Sequence, residues 1–258
     1  MKTLQRTITS VTFQRLINKK AFSAFLGWIA NRKLPHCCLL RLIHAFVKSF
    51  QIDLAEYDFD PDSVQTFNDF FVRKLKPGAR AIEGPVCSPA DGFVSSFGTL
   101  QANQLIQVKG KRYRLNELVQ NQPSIQKGSF LCIYLSLGDY HRVHLPFDAT
   151  LLSIKKIPGT LYSLSPRSLE TFDNVYCRNE RIVLEGVSPL GSFYLILIGA
   201  IVVGKIKLNP SCTLHTPLLK GTEIGCFKMG SSVLLLLDSD IPFKTSLERH
   251  LKMGNALC

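Results

Sequence analysis

Acidic side chains are missing from the first 50 residues of this 258-residue chain. The same segment contains nine Lys and Arg residues, whereas residues 51–258 contain 22 basic and 19 acidic residues. A segment with charge of one sign attracts anionic partners, and the nearly neutral remainder does not. The first fifth of the chain is therefore predicted to contact nucleic acid or anionic lipid.

A hydrophobic run long enough to cross a membrane is also missing. The longest apolar stretch, residues 193–203, is shorter than the roughly 20 residues that a transmembrane helix needs. Near the N-terminus, Arg15, Lys19 and Lys20 interrupt the apolar residues before the core of a secretory signal could form. We therefore expect a protein that lies on a membrane surface and does not span the bilayer.

Cysteine pairs with metal-ligand spacing are absent, because the eight cysteines include no C-x-x-C motif and no zinc-ribbon pattern. Without a predicted secretory signal an oxidising compartment is not expected, so the cysteines are predicted to be reduced, several of them buried. Apolar residues make up 46% of the chain, with 17 Gly and 13 Pro, which excludes a disordered or collagen-like protein. A globular protein facing the cytosol is expected.

The basic N-terminal segment contains apolar and aromatic side chains between its cations. Phe22, Phe25, Trp28 and Ile29 have the i, i+3, i+4 spacing of one helix face. This pattern is typical of amphipathic helices in a membrane interface, where Lys and Arg reach the headgroups and aromatic rings enter the acyl boundary. It favours anionic lipid over nucleic acid. The alternative is that the helices pack on the rest of the protein with their basic face in water.

Helices are predicted for residues 1–50, with a break at Pro35. Residues 51–63 are acidic and polar and are predicted to be a linker. Apolar spacing over residues 64–75 predicts a further helix, which Pro77 and the glycine after it would stop.

From Val86 onward, short and often β-branched apolar runs lie between turn residues, which is typical of strands. The predicted strands are 92–97, 105–108, 130–135, 151–157, 181–184, 193–203, 213–218 and 232–237. Residues 114–120 are predicted to form a short helix. The predicted fold class is α+β, with a helical membrane-associating arm at residues 1–50 followed by a β-rich barrel or sandwich core at residues 51–258.

Two places in the core contain candidate catalytic side chains. Asp91 is a carboxylate at the start of a predicted strand, although Asp-Gly is first of all a turn sequence. His141 and His144 lie beside Asp, Tyr and Arg side chains, as in a catalytic loop. In an extended segment residues three apart point to opposite sides, so separate roles are expected for the two rings. A metal site on a helix is disfavoured by Pro146 and by the lack of a third ligand nearby.

The third candidate is the step from Gly230 to Ser231 in the glycine-rich segment 220–233. In an arbitrary sequence such a segment is a hairpin with turn glycines. The chemical alternative is that Ser231 Oγ attacks the carbonyl of Gly230, because glycine leaves that carbonyl unhindered and tolerates the strained backbone that the attack requires. A neighbouring His–Asp pair would supply the base and orient it.

At these residues the sequence resembles bacterial phosphatidylserine decarboxylase proenzymes. The similarity runs to near the C-terminus in blocks that follow the family's order: 67–73, 89–92, 139–144, 179–181 and 221–232. The family's usual Leu-Gly-Ser-Thr is replaced by Met-Gly-Ser-Ser at residues 229–232, which keeps an apolar residue before the glycine and a hydroxyl after the serine.

The resemblance implies self-cleavage between Gly230 and Ser231. The products would be a large chain, residues 1–230, and a small chain, residues 231–258, which together form a heterodimer. Ser231 would be converted into a pyruvoyl group, the covalent cofactor of the mature enzyme.

The resemblance also implies the roles of the candidate side chains. Asp91 would orient His144, and His144 would activate Ser231 for cleavage. The pyruvoyl group would then serve as the electron sink for decarboxylation of phosphatidylserine to phosphatidylethanolamine, a step that His141 would assist. The expected partners are phosphatidylserine and an anionic membrane surface, with no metal and no nucleic acid. The expected location is peripheral, on the cytoplasmic face of the inner membrane.

Other functions stay open on the residues alone. One is a pyruvoyl-dependent decarboxylase of a soluble amino acid, which the basic and apolar arm disfavours. Another is a non-catalytic membrane-binding module in which Gly230 and Ser231 form only a turn. A third is a hydrolase or metal enzyme built on His141 and His144.

Overall fold

The computed structural model describes residues 10–100, 104–106, 111–201, 205–228 and 231–258. It combines helices with antiparallel sheets, so the predicted α+β class is confirmed. The largest sheet is an open row of eight strands. Of the two arrangements expected for the core, the barrel is therefore not formed by the described residues.

The arm folds, from residue 10 onward, into helices α1 (Val11–Leu16), α2 (Lys19–Ala30) and α3 (His36–Phe50). Asn18 caps α2 by accepting the backbone N–H of Ala21 at 3.1 Å, and Pro35 immediately precedes α3, which confirms the predicted break. Later helices are short: α4 (Phe67–Phe71), α5 (Leu115–Val119), α6 (Pro166–Thr171) and α7 (Val175–Arg178). Within the described part of the chain, no helix has the length and apolar character that crossing a bilayer requires.

The inner face of the arm is joined to the rest of the chain. Phe46 of α3 is buried against the rings of Phe67 and Phe71 on α4, with centroid distances of 5.2 and 6.2 Å. Gln14 of α1 is fully buried, where its Nε2 donates to Ser168 Oγ at 2.9 Å. Buried apolar contacts and a buried hydrogen bond thus anchor the helices from both ends of the arm.

The outer face of the arm is apolar and open to solvent. The exposed fractions of Leu16, Phe25 and Trp28 are 80%, 56% and 55%. The Phe25 and Trp28 rings stack with centroids 6.2 Å apart, and the Arg32 guanidinium lies 3.9 Å from the Trp28 ring. The helices of the arm therefore pack on the protein with one face and expose apolar side chains on the other.

Residues 51–63 are not a simple linker. They contain a 3₁₀ turn (Leu54–Glu56) and strand β1 (Tyr57–Asp58), which pairs with β2 (Lys74–Leu75). The helix predicted over residues 64–75 is limited to α4 because Leu75 pairs with Tyr57 in this small sheet. A reciprocal capping box of Thr66 and Asp69 fixes the start of α4.

Near the centre of the main sheet, strand β14 (Ser231–Leu237) lies between the long strands β10 (Gly191–Gly199) and β6 (Gly128–Leu135). In sheet order the strands are β12 (Pro217–Leu218), β8 (Ala149–Ile157), β9 (Arg181–Ser188), β10 (Gly191–Gly199), β14 (Ser231–Leu237), β6 (Gly128–Leu135), β3 (Gly92–Leu100) and β15 (His250–Leu251). A second sheet contains β11 (Ile206–Leu208), β13 (Glu223–Phe227) and β7 (Arg142–His144). A two-stranded sheet pairs β4 (Gln104–Ile106) with β5 (Arg112–Arg114).

The main sheet is the middle of three layers. On one face Val233 and Leu235 of β14 share a buried cluster with Val143 and Phe227 of the second sheet. On the other face the alternate residues of β14 share a cluster with side chains of α5, α6 and α7. Strand β14 is buried on both faces, which explains its almost entirely apolar sequence.

The predicted strands are confirmed for the apolar runs of the main sheet, with shifted ends, and the predicted helix at residues 114–120 is α5. The run 213–218 contributes only the two residues of β12, and the run 193–203 ends in β10 at Gly199. Residues 107–108 and 202–203 lie outside the described residues. Strands β7, β11 and β13 were not predicted, because glycine and charged residues interrupt their apolar pattern.

Candidate active site

Ser231 is the first residue of β14 and lies between Gly199 of β10 and Leu135 of β6. Its side chain is buried, and Oγ has no hydrogen-bond partner among the described residues. A buried hydroxyl without a partner is costly and rare, so Oγ is available for another interaction. The predicted reaction partner Gly230, together with Met229, lies outside the described residues.

The strand alternation directs Ser231 toward the second sheet. Side chains two residues apart share a face, and Val233 and Leu235 face the cluster that contains Val143. Val143 lies in β7 between His144, which ends this strand, and His141, which directly precedes it; β7 pairs with β13. At the end of β13, Phe227 N–H donates to the carbonyl of His141 at 2.9 Å. The segment that leads toward Ser231 is therefore bonded to the segment that contains the two histidines.

His144 has hydrogen-bond partners on both ring nitrogens. Nδ1 lies 2.7 Å from the carbonyl of Gly221, which can only accept, so Nδ1 carries the proton. Nε2 lies 3.0 Å from Tyr140 Oη and therefore accepts from that hydroxyl. Burial lowers the pKa of His144, which favours the neutral ring with a lone pair on Nε2. His144 is thus a preformed proton acceptor.

His141 is buried in a different environment. Its ring stacks on Phe71 at a centroid distance of 4.3 Å, and its Nε2 donates to the carbonyl of Ser136 at 3.0 Å. Ser136 directly follows Leu135, the neighbour of Ser231 in the sheet. Nδ1 has no partner among the described residues, and burial lowers the pKa of the ring to about 4. A neutral imidazole with an unused lone pair is therefore held close to the strand pair that contains Ser231.

Asp91 does not contact His144 through its carboxylate. Its oxygens form an ion pair with Arg80, at 3.0 Å for Oδ2, and Oδ1 accepts the backbone N–H of Met253 at 2.7 Å. The connection to the histidine runs through the turn before Asp91, because the carbonyl of Pro89 accepts the backbone N–H of His144 at 2.8 Å. The structure brings this turn to His144, while the direct Asp–His hydrogen bond of the expected triad is not formed.

Arg80 extends this contact into a network. Its Nη2 also donates to Glu56 at 2.8 Å, and Glu56 pairs with Lys252. The guanidinium lies 5.5 Å from the centroid of the Tyr140 ring. Burial acts to lower the pKa of Arg80, but hydrogen bonds and the charge of Asp91 outweigh it and raise the pKa above its usual value. Arg80 therefore stays charged between Asp91 and the tyrosine that hydrogen-bonds His144.

Three groups at this site were not assigned from the sequence: Tyr140, Arg80 and the Gly221 carbonyl. Tyr140 stands inside the block that contains the histidines, so its position offered a signal. Arg80 belongs to none of the recognised blocks, and a carbonyl gives no sequence signal. No group of three His, Cys, Asp or Glu side chains in the described ranges is arranged to hold a metal ion.

Comparison with known proteins adds independent information. The family model described as phosphatidylserine decarboxylase matches residues 67–258. A phosphatidylserine decarboxylase proenzyme of Polaromonas sp. is 36% identical over 252 residues, covering 88% of this chain and 88% of its own. Proenzymes of the same name from Glaesserella parasuis and Vibrio parahaemolyticus are 34% and 38% identical, over 95% and 92% of this chain and 90% and 93% of theirs. The chain therefore belongs to the phosphatidylserine decarboxylase family.

Proposed function

We propose that this chain is a zymogen that cleaves itself between Gly230 and Ser231, and that the mature enzyme decarboxylates phosphatidylserine to phosphatidylethanolamine. The observation that carries the proposal is the buried Oγ of Ser231, at the start of a central strand, which has no hydrogen-bond partner among the described residues. Family membership and the proenzyme names of the relatives support it. The basic arm with its apolar outer face favours a lipid substrate over a soluble amino acid.

Cleavage begins when Ser231 Oγ bonds to the carbonyl carbon of Gly230 and the peptide C–N bond breaks. The hydroxyl proton passes to a base and then to the released amine, which leaves an ester. Removal of the Ser231 α-proton next breaks the Cβ–O bond and frees the Gly230 carboxylate. Addition of water and loss of ammonia at the dehydroalanine then give the pyruvoyl group. The Ser231 Oγ fits the first of these steps, since it has no hydrogen bond to a described residue that it must break to react.

His144 is the proposed base for cleavage. Its lowered pKa keeps it neutral near pH 7, and the Gly221 carbonyl fixes the proton on Nδ1. Tyr140 must give up its hydrogen bond to Nε2 as this nitrogen takes the proton. Asp91 is proposed as a positioning residue, because its ion pair with Arg80 holds the turn to which the His144 backbone is bonded.

His141 is proposed to assist decarboxylation. The pyruvoyl group, once formed, supplies a ketone that serves as an electron sink for the loss of carbon dioxide. The His141 ring is kept in place by Phe71 and the Ser136 carbonyl, and the lone pair on Nδ1 can hold or pass on a proton. Burial keeps water from this nitrogen, which favours proton transfer to the substrate carbon.

The mature protein is proposed to be a heterodimer of residues 1–230 and 231–258 that sits peripherally on the cytoplasmic face of the inner membrane. Strand β14 of the small chain keeps its ladders to β6 and β10, so cleavage before Ser231 need not separate the chains. The arm at residues 1–50 is proposed to bind anionic lipid, with Phe25 and Trp28 entering the bilayer interface.

The mass of the purified protein tests the cleavage directly. One chain that ends at Gly230 and a second chain that begins at position 231 are expected, together with release of carbon dioxide from phosphatidylserine. Ser231→Ala should give one intact chain without activity, because no oxygen can form the ester. Ser232→Ala is the matched control, since Ser232 Oγ is also buried with no partner in the described part of the chain but lies on the opposite face of β14. Cleavage of the Ser231→Ala protein would refute the proposal.

A further inference from the structure

Arg73, two residues after the end of α4, is a buried cation without an anionic partner. It is only 4% exposed, and it forms no ion pair with a carboxylate of the described residues. Its guanidinium donates to carbonyls instead, from Nη2 to Gly138 at 2.7 Å and Asp139 at 3.0 Å and from Nη1 to Phe71 at 3.4 Å. The Tyr57 ring packs against it, with its centroid 4.4 Å from Cζ. The side chain therefore ties the backbone of residues 138 and 139 to the end of α4, at the cost of a buried charge.

Arg142 makes the same connection in the opposite direction. Its Nε donates to the carbonyls of Val72 at 2.9 Å and of Arg73 at 3.3 Å, and its Nη1 pairs with Glu223 at 2.7 Å. Each arginine thus bonds to the backbone at or beside the other. Because a guanidinium presents its donors in a rigid fork, the two backbone segments are held at two points in a fixed relation.

His141 lies between these two points. Its ring stacks on Phe71, the last residue of α4, and its Nε2 donates to the carbonyl of Ser136. Its place therefore depends on how residues 136–142 lie against α4. Leu135, which directly precedes this segment, is the ladder neighbour of Ser231. The arginine contacts thus help to fix the imidazole relative to the strand that Ser231 begins.

The charge of Arg73 also acts on the His141 ring. Burial has the largest effect and lowers the pKa of His141, the Asp139 carboxylate raises it, and Arg73 lowers it. The neighbouring charged groups form two ion pairs, Asp139 with His250 and Arg142 with Glu223. Arg73 is the cation that opposes Asp139, so it favours the neutral ring.

We propose that Arg73 is a positioning residue for decarboxylation, which holds His141 in the place and the neutral form in which its Nδ1 exchanges a proton with the substrate. This inference rests on the proposed function. Self-cleavage is assigned to His144, which the carbonyls of Gly221 and Pro89 hold separately. Arg73 should therefore affect turnover and leave cleavage intact.

The test measures kcat and KM of the cleaved enzyme on dispersed short-chain phosphatidylserine between pH 4 and pH 7. Arg73→Met should lower kcat by about 10- to 100-fold with KM unchanged, because a misplaced proton-transfer group slows the reaction and not binding. The loss of kcat at low pH should also begin at a higher pH, since His141 without the nearby cation takes up a proton more readily. Lys74→Met is the matched control, because it removes an exposed cation from the adjacent position. An unchanged pH profile in Arg73→Met, or an equal fall of kcat in the control, would overturn the role.

Two further measurements cover loss of folding in Arg73→Met. Arg73→Lys keeps the charge without the fork of donors, so it should cleave, keep the wild-type pH profile and lower kcat less than Arg73→Met. Wild-type kcat in Arg73→Lys would refute the positioning role. Titration of His141 by NMR needs no activity and uses the uncleaved Ser231→Ala protein. Adding Arg73→Met should raise the titration midpoint, whereas Lys74→Met and Arg73→Lys should not, and equal midpoints in all four proteins would contradict the effect of charge. If the cleaved wild-type protein releases no carbon dioxide from phosphatidylserine, the proposed function fails instead.

Discussion

The interior around Ser231 and the outer face of the arm both hold side chains in unfavourable surroundings. Polar atoms are buried in the interior, and apolar rings are exposed on the outer face. Inside, Ser231 Oγ and His141 Nδ1 are buried polar atoms that no described residue satisfies. Outside, Phe25 and Trp28 expose more than half of their surface to water. Each placement costs free energy in the isolated protein, because polar groups lose water inside and apolar groups meet it outside.

The difference indicates two separate partners. In the proposed function the interior groups serve a covalent change within the chain, whereas the outer groups serve contact with a lipid phase. Substitutions in the interior should therefore alter cleavage or turnover with any form of substrate. Substitutions on the outer face should alter only membrane binding and the turnover of substrate in a bilayer.

The largest effect is expected from His144→Ala. Loss of the base should slow self-cleavage by roughly 10²–10⁴-fold, measured as the fraction of two chains on denaturing gels over time. His141→Ala should still cleave but decarboxylate more slowly, because the two rings contact different groups. His250→Ala is a control at a histidine that pairs with Asp139. Normal cleavage of the His144→Ala protein, or none in His141→Ala, would break the assigned division of roles.

The next effect concerns the two faces of the arm. Phe46→Ala should lower the free energy of unfolding by about 3–5 kcal/mol, since the ring is buried among Phe67, Phe70 and Phe71. Phe25→Ala removes the same number of atoms from an exposed position and should change stability little. Denaturant unfolding of the uncleaved Ser231→Ala protein measures both. Equal losses would mean that the outer face is part of the packed core.

A pH effect on stability is expected from His141. Burial lowers its pKa to about 4, against about 6.5 in an unfolded chain. The unfolded state therefore takes up the proton first as the pH falls, and the free energy of unfolding should decrease between about pH 6.5 and pH 4, by at most ~3 kcal/mol. Asp139 opposes the shift and Arg73 adds to it. His141→Phe should remove this part of the pH dependence, and an unchanged profile would contradict the assignment.

The smallest effect is expected at the membrane. Trp28→Ala should weaken binding to vesicles that contain phosphatidylserine by about 2 kcal/mol, the transfer free energy of a large apolar side chain. Higher salt should weaken wild-type binding without abolishing it, because screening removes only the charge contribution. Sedimentation with vesicles measures both effects. Turnover of dispersed short-chain substrate should not change. A loss of that turnover would show that the outer face of the arm also affects the interior site.

The sequence predicted the parts of the fold that depend on local pattern. The apolar run at residues 130–135 and the Pro35 break each correspond to an element, β6 and the start of α3. Strand β13 escaped prediction because Gly225 and Glu223 interrupt its pattern, and it is stabilised by pairing with β7 and β11. The helix over residues 64–75 was predicted too long, because nothing local shows that Leu75 pairs with Tyr57.

The candidate site shows the same limit. Asp91, His144 and Ser231 were singled out from local motifs, and their roles, which a family resemblance implies, stay predictions. The actual partners of these groups are remote in sequence: the Gly221 carbonyl is 77 residues from His144, and the Met253 amide is 162 residues from Asp91. Such contacts follow from the assembled sheets and leave no spacing pattern to detect.

The central position of β14 determines when, relative to cleavage, the protein must fold. The strand has a neighbour on each side, so the precursor must complete its sheet while residues 231–258 are still part of a continuous chain. After the proposed cut, regaining this strand requires the meeting of two separate molecules. Unfolded mature enzyme should then refold with second-order kinetics and poor yield, whereas the uncleaved precursor refolds at a rate independent of concentration. If the proposed cleavage occurs, the protein assembles once, before maturation, and persistence of the mature form depends on slow unfolding.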